Sequence, residues 1–398
     1  MRPSSWRTQS HYAVFYAAQF VLLGVQLPFL SGWLDGKGFT APAIGLITGA
    51  ALGARLAFGP AVAFWADRLV NPATALRAVS LLFAIGAMGL ALSPGKALIA
   101  VSTVAVLWSF GLLVPLSDTA VLRADRAGDL QYGQTRALGS FAFVLTNIFG
   151  GMVIASTGIS ASVKIMAAAG LATFVIAMTL PVRRAPPGEA GAAALNWRDG
   201  VRLISNPVFA LFLFAAAMIQ GAHAAYYSFS ILHWTALDYS PRTIGFLWAT
   251  GVLAEIVLLM RLRALLRRIP PVWLIALGGA GALVRWGITA TSPPLAILFL
   301  TQTMHALTFA ATYTGSIEFI DRAAPRTLTN TAMTLMSTTG VGAMTGLATV
   351  AAGFLYASGG APAMYALMAA MGGLGAIGAV LLLRVWRGET LTLAPVRT

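Results

Sequence analysis

Charged residues in this chain gather into short clusters, and the stretches between them stay apolar for about 20 residues, the length that crosses roughly 30 Å of hydrocarbon as a helix. Pro, Gly and charge clusters divide the pattern into spans near 10–34, 42–67, 73–93, 96–122, 134–157, 160–181, 207–235, 242–262, 271–291, 294–320, 327–355 and 361–384. Strands of a membrane barrel would alternate over about ten residues, a pattern not seen here. The prediction is an all-α membrane protein with twelve transmembrane helices. The longest polar connection, PVRRAPPGEAGAAALNWRDGVRLISN, spans 181–206. It suggests a six-helix bundle over 1–181, a cytoplasmic linker over 182–206 and a second six-helix bundle over 207–398.

The two halves repeat one another at a constant offset. FTAPAIGLITGAALGAR (39–55) aligns with YSPRTIGFLWATGVLAE (239–255), pairing Ile44 with Ile244, Gly45 with Gly245 and Arg55 with Glu255. Asp118 and Glu318 keep the same offset. A parallel duplication predicts two bundles related by a pseudo-twofold along the membrane normal, with a site between them near mid-membrane. Gly45, Gly49 and Gly53 share a face of the second span, and Gly342 and Gly346 a face of the eleventh, which predicts close helix packing.

Composition agrees with the pattern. Of 398 residues, 58% are hydrophobic and 10% charged, against about 25% charged in soluble proteins. The net charge of +14 reports topology rather than nucleic-acid binding. With the N-terminus inside, basic residues from Arg2 and Arg7 to Arg384 and Arg387 fall on inner loops and span ends. Only Lys37, Lys96, Lys164 and Arg242 fall outside. By the positive-inside rule both termini are cytoplasmic, and the N-terminal stretch reads as a retained first span. The chain has no cysteine, hence no thiol chemistry.

Ionisable groups within the spans carry the candidate chemistry, because a charge at mid-membrane costs roughly 2.5–3.5 kcal/mol unless it faces a partner or a cavity. Arg55, His223, Glu255, Arg285 and His305 fall about halfway through their spans. Glu255 is the one carboxylate at that depth. Desolvation favours its neutral form and a nearby arginine its charged form, so it is the expected proton carrier, with Arg285 as its partner. A fixed Glu–Arg pair is the bland alternative. Arg55 would take a substrate carboxylate through its guanidinium fork, or pair with Glu255 and leave Arg285 to the substrate. His305 is either a proton relay or a neutral hydrogen-bonded ring. His233, beside Trp234, reads as an interface residue. Asp118 and Arg136 flank the loop between spans 4 and 5, placed to clasp as an inner gate.

QGAHAAYYSFS (220–230), IGFLWATGVLAE (244–255), VRWGI (284–288), LLVPLSD (112–118) and YGQTRALGSFAFV (132–144) together resemble the 3-phenylpropionate permeases, a family of the major facilitator superfamily related to lactose permease. The likeness runs over nearly the whole chain. It implies alternating access and proton symport. It further implies that Asp118 and Arg136 contact substrate, and that Glu255, Arg285 and His305 form the proton-coupling group. In lactose permease a glutamate follows the histidine by one helical turn; here that position is Thr308, so the same residue cannot carry the proton. Span 7 lines the cavity in this superfamily, so Gln220, His223, Tyr226 and Tyr227 are expected to bind substrate, joined from span 1 by Gln26 and Trp33. FWADRL (64–69) is similar to the facilitator loop in which an acid helps close the inner side, which assigns Asp67 and Arg68 to a gate. RLRALLRR (261–268), the matching loop, lacks the acid.

The leading expectation is a proton-coupled importer of a small organic anion such as 3-phenylpropionate. A sugar or nucleoside symporter is the alternative, and an efflux antiporter a third transport reading. No nucleophile–base pair, HExxH, P-loop or metal-ligand spacing points to an enzyme; a receptor or structural role would leave no transport. The expected partners are substrate, protons and the lipid bilayer of the cell inner membrane. No cofactor, metal or nucleic acid is expected, and the chain is read as a monomer.

Overall fold

The computed structural model describes residues 3–69, 71–182, 197–261 and 268–392. Six long helices come first: α1 (Pro3–Gly36), α2 (Ala41–Arg68), α3 (Pro72–Leu92), α4 (Lys96–Arg126), α5 (Tyr132–Thr157) and α6 (Ala161–Thr179). A short α7 (Trp197–Ser205) leads to α8 (Pro207–Gly221), α9 (Ala224–Ala236), α10 (Pro241–Arg261) and α11 (Pro271–Ala290). Then follow α12 (Leu295–Thr303), α13 (Thr312–Ala323), α14 (Thr329–Met336) and α15 (Thr345–Val385). Local chemistry sets several starts. Asn71 and Asn206 accept from the first amides of α3 and α8, and each is followed by a proline that has no amide to orphan.

Among the described residues, eleven helices are long and apolar enough to cross a membrane, and starts predicted at 73, 96, 207 and 271 coincide with observed ones. The eleventh, Gly342–Val385, has 44 residues, whereas about 20 suffice for one crossing. It is broken at Gly360, whose φ of 66° is open to glycine at little cost, with Pro362 just beyond. Two other spans change their winding. α8 and α9 are interrupted at Ala222–His223, and a π-helical turn, Ala306–Ala311, separates α12 from α13.

Packing divides the chain into two units: Met1–Ala192 with Ser228–Ala249, and Ala193–Tyr227 with Thr250–Thr398. In the first, α1 packs on α5 and α6, and α3 on α4 and α6. Gly245 meets the Asn147 carbonyl so closely that a β-carbon would overlap it. His233 and Trp234, read from sequence as interfacial, are buried in this unit (3% and 0% exposed). Gly53, one member of the glycine face predicted for α2, has nothing within 4 Å of the place a β-carbon would take. In the second unit, α11 and α8 pack along α15. Phe212 stacks on Phe319 at 4.3 Å, Trp386 caps that ring at 4.7 Å, and Leu203 of α7 joins the same core.

Candidate functional site

Arg285, on α11, is the centre of a polar cluster in the second unit and is 0% exposed. Its Nη2 donates to Gln302 Oε1 at 3.0 Å and its Nη1 to Thr308 Oγ1 at 3.1 Å. The same Nη1 lies 3.2 Å from His305 Nδ1. A guanidinium has no acceptor, so Nδ1 must accept, and a neutral ring then carries its proton on Nε2. That Nε2 lies 3.7 Å from Glu255 Oε2. The partnership expected between Glu255 and Arg285 therefore has His305 interposed. Gln302, His305 and Thr308 follow at three-residue steps and so share a face of their span.

Aromatic rings wall this cluster. The Arg285 guanidinium sits 4.1 Å from the Trp286 ring and 5.0 Å from Tyr226, a geometry that favours a desolvated cation. Trp286 stacks on Tyr365 at 5.8 Å, Phe309 on His305 at 5.2 Å and Tyr227 on His223 at 5.6 Å. Arg285 Nε, Gln302 Nε2 and Trp286 Nε1 are buried donors without an acceptor among the described residues. Such groups are costly to leave unpaired. All three belong to the guanidinium or to residues in direct contact with it. Gln220, one turn before His223, is also buried at 8% exposure.

Asp118 and Arg136 lie in the first unit, brought near one another by tyrosines. Asp118 Oδ1 accepts from the Tyr16 hydroxyl at 2.5 Å and from Tyr132 at 3.3 Å. Arg136 lies over the Phe20 ring at 4.6 Å, and among the described residues the two make no direct ion pair. Glu318, the repeat counterpart of Asp118, pairs instead with Arg322 on its own helix at 2.7 Å. Arg55 has no hydrogen-bond or ion-pair partner among the described residues; its stem crosses Gly111, where a β-carbon would come within 2.7 Å of Cδ. Gln26 is buried at 9% exposure. The gate assigned to Asp67 and Arg68 lies outside the described side chains.

Sequence reasoning missed Gln302, Trp286, Tyr365 and Tyr16 as members of these clusters. Gln302 was within reach of a helical-spacing search from His305. Tyr16 and Tyr365 carried no such signal, because their contacts cross between helices far apart in sequence.

Residues 6–367 match the model of the MFS_1 like family. The chain is 30% identical over 350 residues to the "Probable 3-phenylpropionic acid transporter" of Escherichia coli (strain K12), covering 86% of this chain and 90% of that protein. It is 26% identical to the maltose permease of Geobacillus stearothermophilus, covering 86% of each. A mutant of the nucleoside transporter NupG superposes with a TM-score of 0.81 at 14% identity, over 96% of this chain and all of that one. An auto-inhibited POT family peptide transporter gives 0.72 at 16% identity, over 96% and 97%. At such identities the structures establish the fold alone.

Proposed function

Because this chain belongs to the MFS_1 like family and is a multi-pass membrane transporter rather than an enzyme, we propose that it is a secondary active carrier that imports a small aromatic carboxylate such as 3-phenylpropionate by proton symport. The observation that carries this reading is the fully buried Arg285, whose guanidinium is stacked on Trp286 and whose Nε has no acceptor among the described residues. A carboxylate supplies the acceptor and the countercharge that this donor set calls for. The surrounding rings offer an aromatic substrate apolar area with polar edges. His305 adjoins this guanidinium and Glu255 adjoins His305, so anion and proton share one electrostatic environment.

Alternating access accompanies this reading. Taking the Gly360 break as a turn between two spans gives twelve crossings in two six-helix bundles. On the same reading, the basic inner loops support cytoplasmic termini in an inner-membrane protein. A sugar or nucleoside symporter is the second reading, favoured by the 26% identity to a maltose permease and by the neutral donors of Gln302.

Uptake of labelled 3-phenylpropionate and labelled maltose into cells expressing the protein separates the two. The aromatic acid should accumulate, collapse with a protonophore, and alkalinise a weakly buffered medium on addition. Accumulation of maltose alone would overturn the first reading, and accumulation that survives the protonophore would remove proton coupling.

A further inference from the structure

Donor and acceptor counting fixes the direction of every hydrogen bond on one side of Arg285. The guanidinium only donates, so Thr308 Oγ1 accepts from Nη1 at 3.1 Å. The threonine keeps one proton to give, and His223 Nε2 lies 3.1 Å from the same oxygen. On the far side of that ring, Nδ1 lies 3.1 Å from the Ile219 carbonyl and 3.3 Å from that of Gln220. Carbonyls only accept, so Nδ1 carries a proton. The chain runs one way, from Arg285 through Thr308 and His223 to Ile219. A neutral His223, protonated on Nδ1, satisfies each member. A doubly protonated ring would set a second buried cation against the guanidinium across one shared oxygen.

The backbone supplies an independent reason for the same arrangement. In an uninterrupted helix the Ile219 carbonyl would accept the His223 amide. That amide instead bonds the Gln220 carbonyl at 3.2 Å, because the helix is interrupted at Ala222–His223. The His223 ring replaces the donor its own backbone has withdrawn. His223 and Thr308 are both 0% exposed, so each bond in the chain stands where water cannot substitute.

We propose that Thr308 and His223 are a positioning pair: they fix Nη1 of Arg285 and leave Nε as the donor for an arriving anion, while neither touches substrate nor carries the transported proton. The anion part rests on the reading of Arg285 given above. The state of His223 does not, and it is measured separately.

Two measurements decide the matter. In protein labelled with 15N-histidine, with the His223 signals assigned by their loss in His223→Gln, the resting ring should be neutral and protonated on Nδ1. A charged ring, or one protonated on Nε2, overturns the pair. In transport, Thr308→Val should raise KM for 3-phenylpropionate roughly tenfold or more, as expected for losing one hydrogen bond to a charged group, with Vmax largely kept. Thr308→Ser, which retains the hydroxyl, should restore KM. An unchanged KM in Thr308→Val, or a serine variant as impaired as the valine one, overturns the pair. Should the wild type take up no aromatic acid, the function proposed above falls, and the His223 spectrum alone then supports or rejects the pair.

Discussion

His305 Nε2 lies 3.7 Å from the Glu255 carboxylate, and the opposite nitrogen of that ring faces Arg285 at 3.2 Å. Acid and guanidinium thus communicate through an imidazole whose two nitrogens have distinct roles. The Glu255 side chain is 23% exposed and that of His305 is 8% exposed, so the carboxylate is the less enclosed member of the pair. Replacing Glu255 with Gln should abolish proton-driven accumulation and spare exchange of internal for external substrate. Preloaded vesicles test both in one preparation, and accumulation that persists would take the proton away from Glu255.

Arg285 is engaged at Nη1 and Nη2 by planar, fork-like bonds that an ammonium cannot reproduce. Arg285→Lys should therefore weaken aromatic-acid uptake by at least about tenfold, the scale of one lost charge-assisted hydrogen bond. A concentration series of initial uptake rates checks this, and near wild-type KM would show that the forked bonds to Gln302 and Thr308 are not needed for uptake.

Arg55 has no partner among the described residues, in contrast to Arg285. If it attracts the substrate anion, Arg55→Gln should lower affinity severely while the protein remains folded and inserted. Equilibrium binding of labelled acid to purified protein measures this directly, and unchanged affinity would remove Arg55 from the site.

Tyr16 donates to Asp118 at 2.5 Å and Tyr132 adds a second bond at 3.3 Å. Tyr16→Phe deletes the shorter bond and leaves a half-buried carboxylate short of a donor. The expected cost is about 1.5–3 kcal/mol, typical of a hydrogen bond to a charged group. A lowered unfolding midpoint in detergent is the readout, and an unaltered one would show that Tyr132 and water suffice.

The helical, membrane-spanning character of the chain was legible from the spacing of its charge clusters, because hydrocarbon thickness fixes span length irrespective of neighbours. Its mid-span charges were equally visible, since a charge among apolar residues needs no partner to be noticed. Their pairings were not. Glu255 and Arg285 were matched because their spans are consecutive, and the interposition of His305 depends on how three helices rotate about their axes. Thr308 looked like a lost acid. Its place between Arg285 and His223 follows from a π-helical turn and a helix interruption, neither of which hydropathy encodes.

That π turn has a mechanical consequence. Ala306–Ala311 is π-helical, its hydrogen bonds spanning one residue more than those of its flanks. A surplus residue of this kind can be passed along a helix, and each side chain it passes swings by about 100°, one residue's share of a turn. Thr308 and Phe309 lie inside the loosened stretch, so such a passage would carry the hydroxyl away from the guanidinium it now contacts.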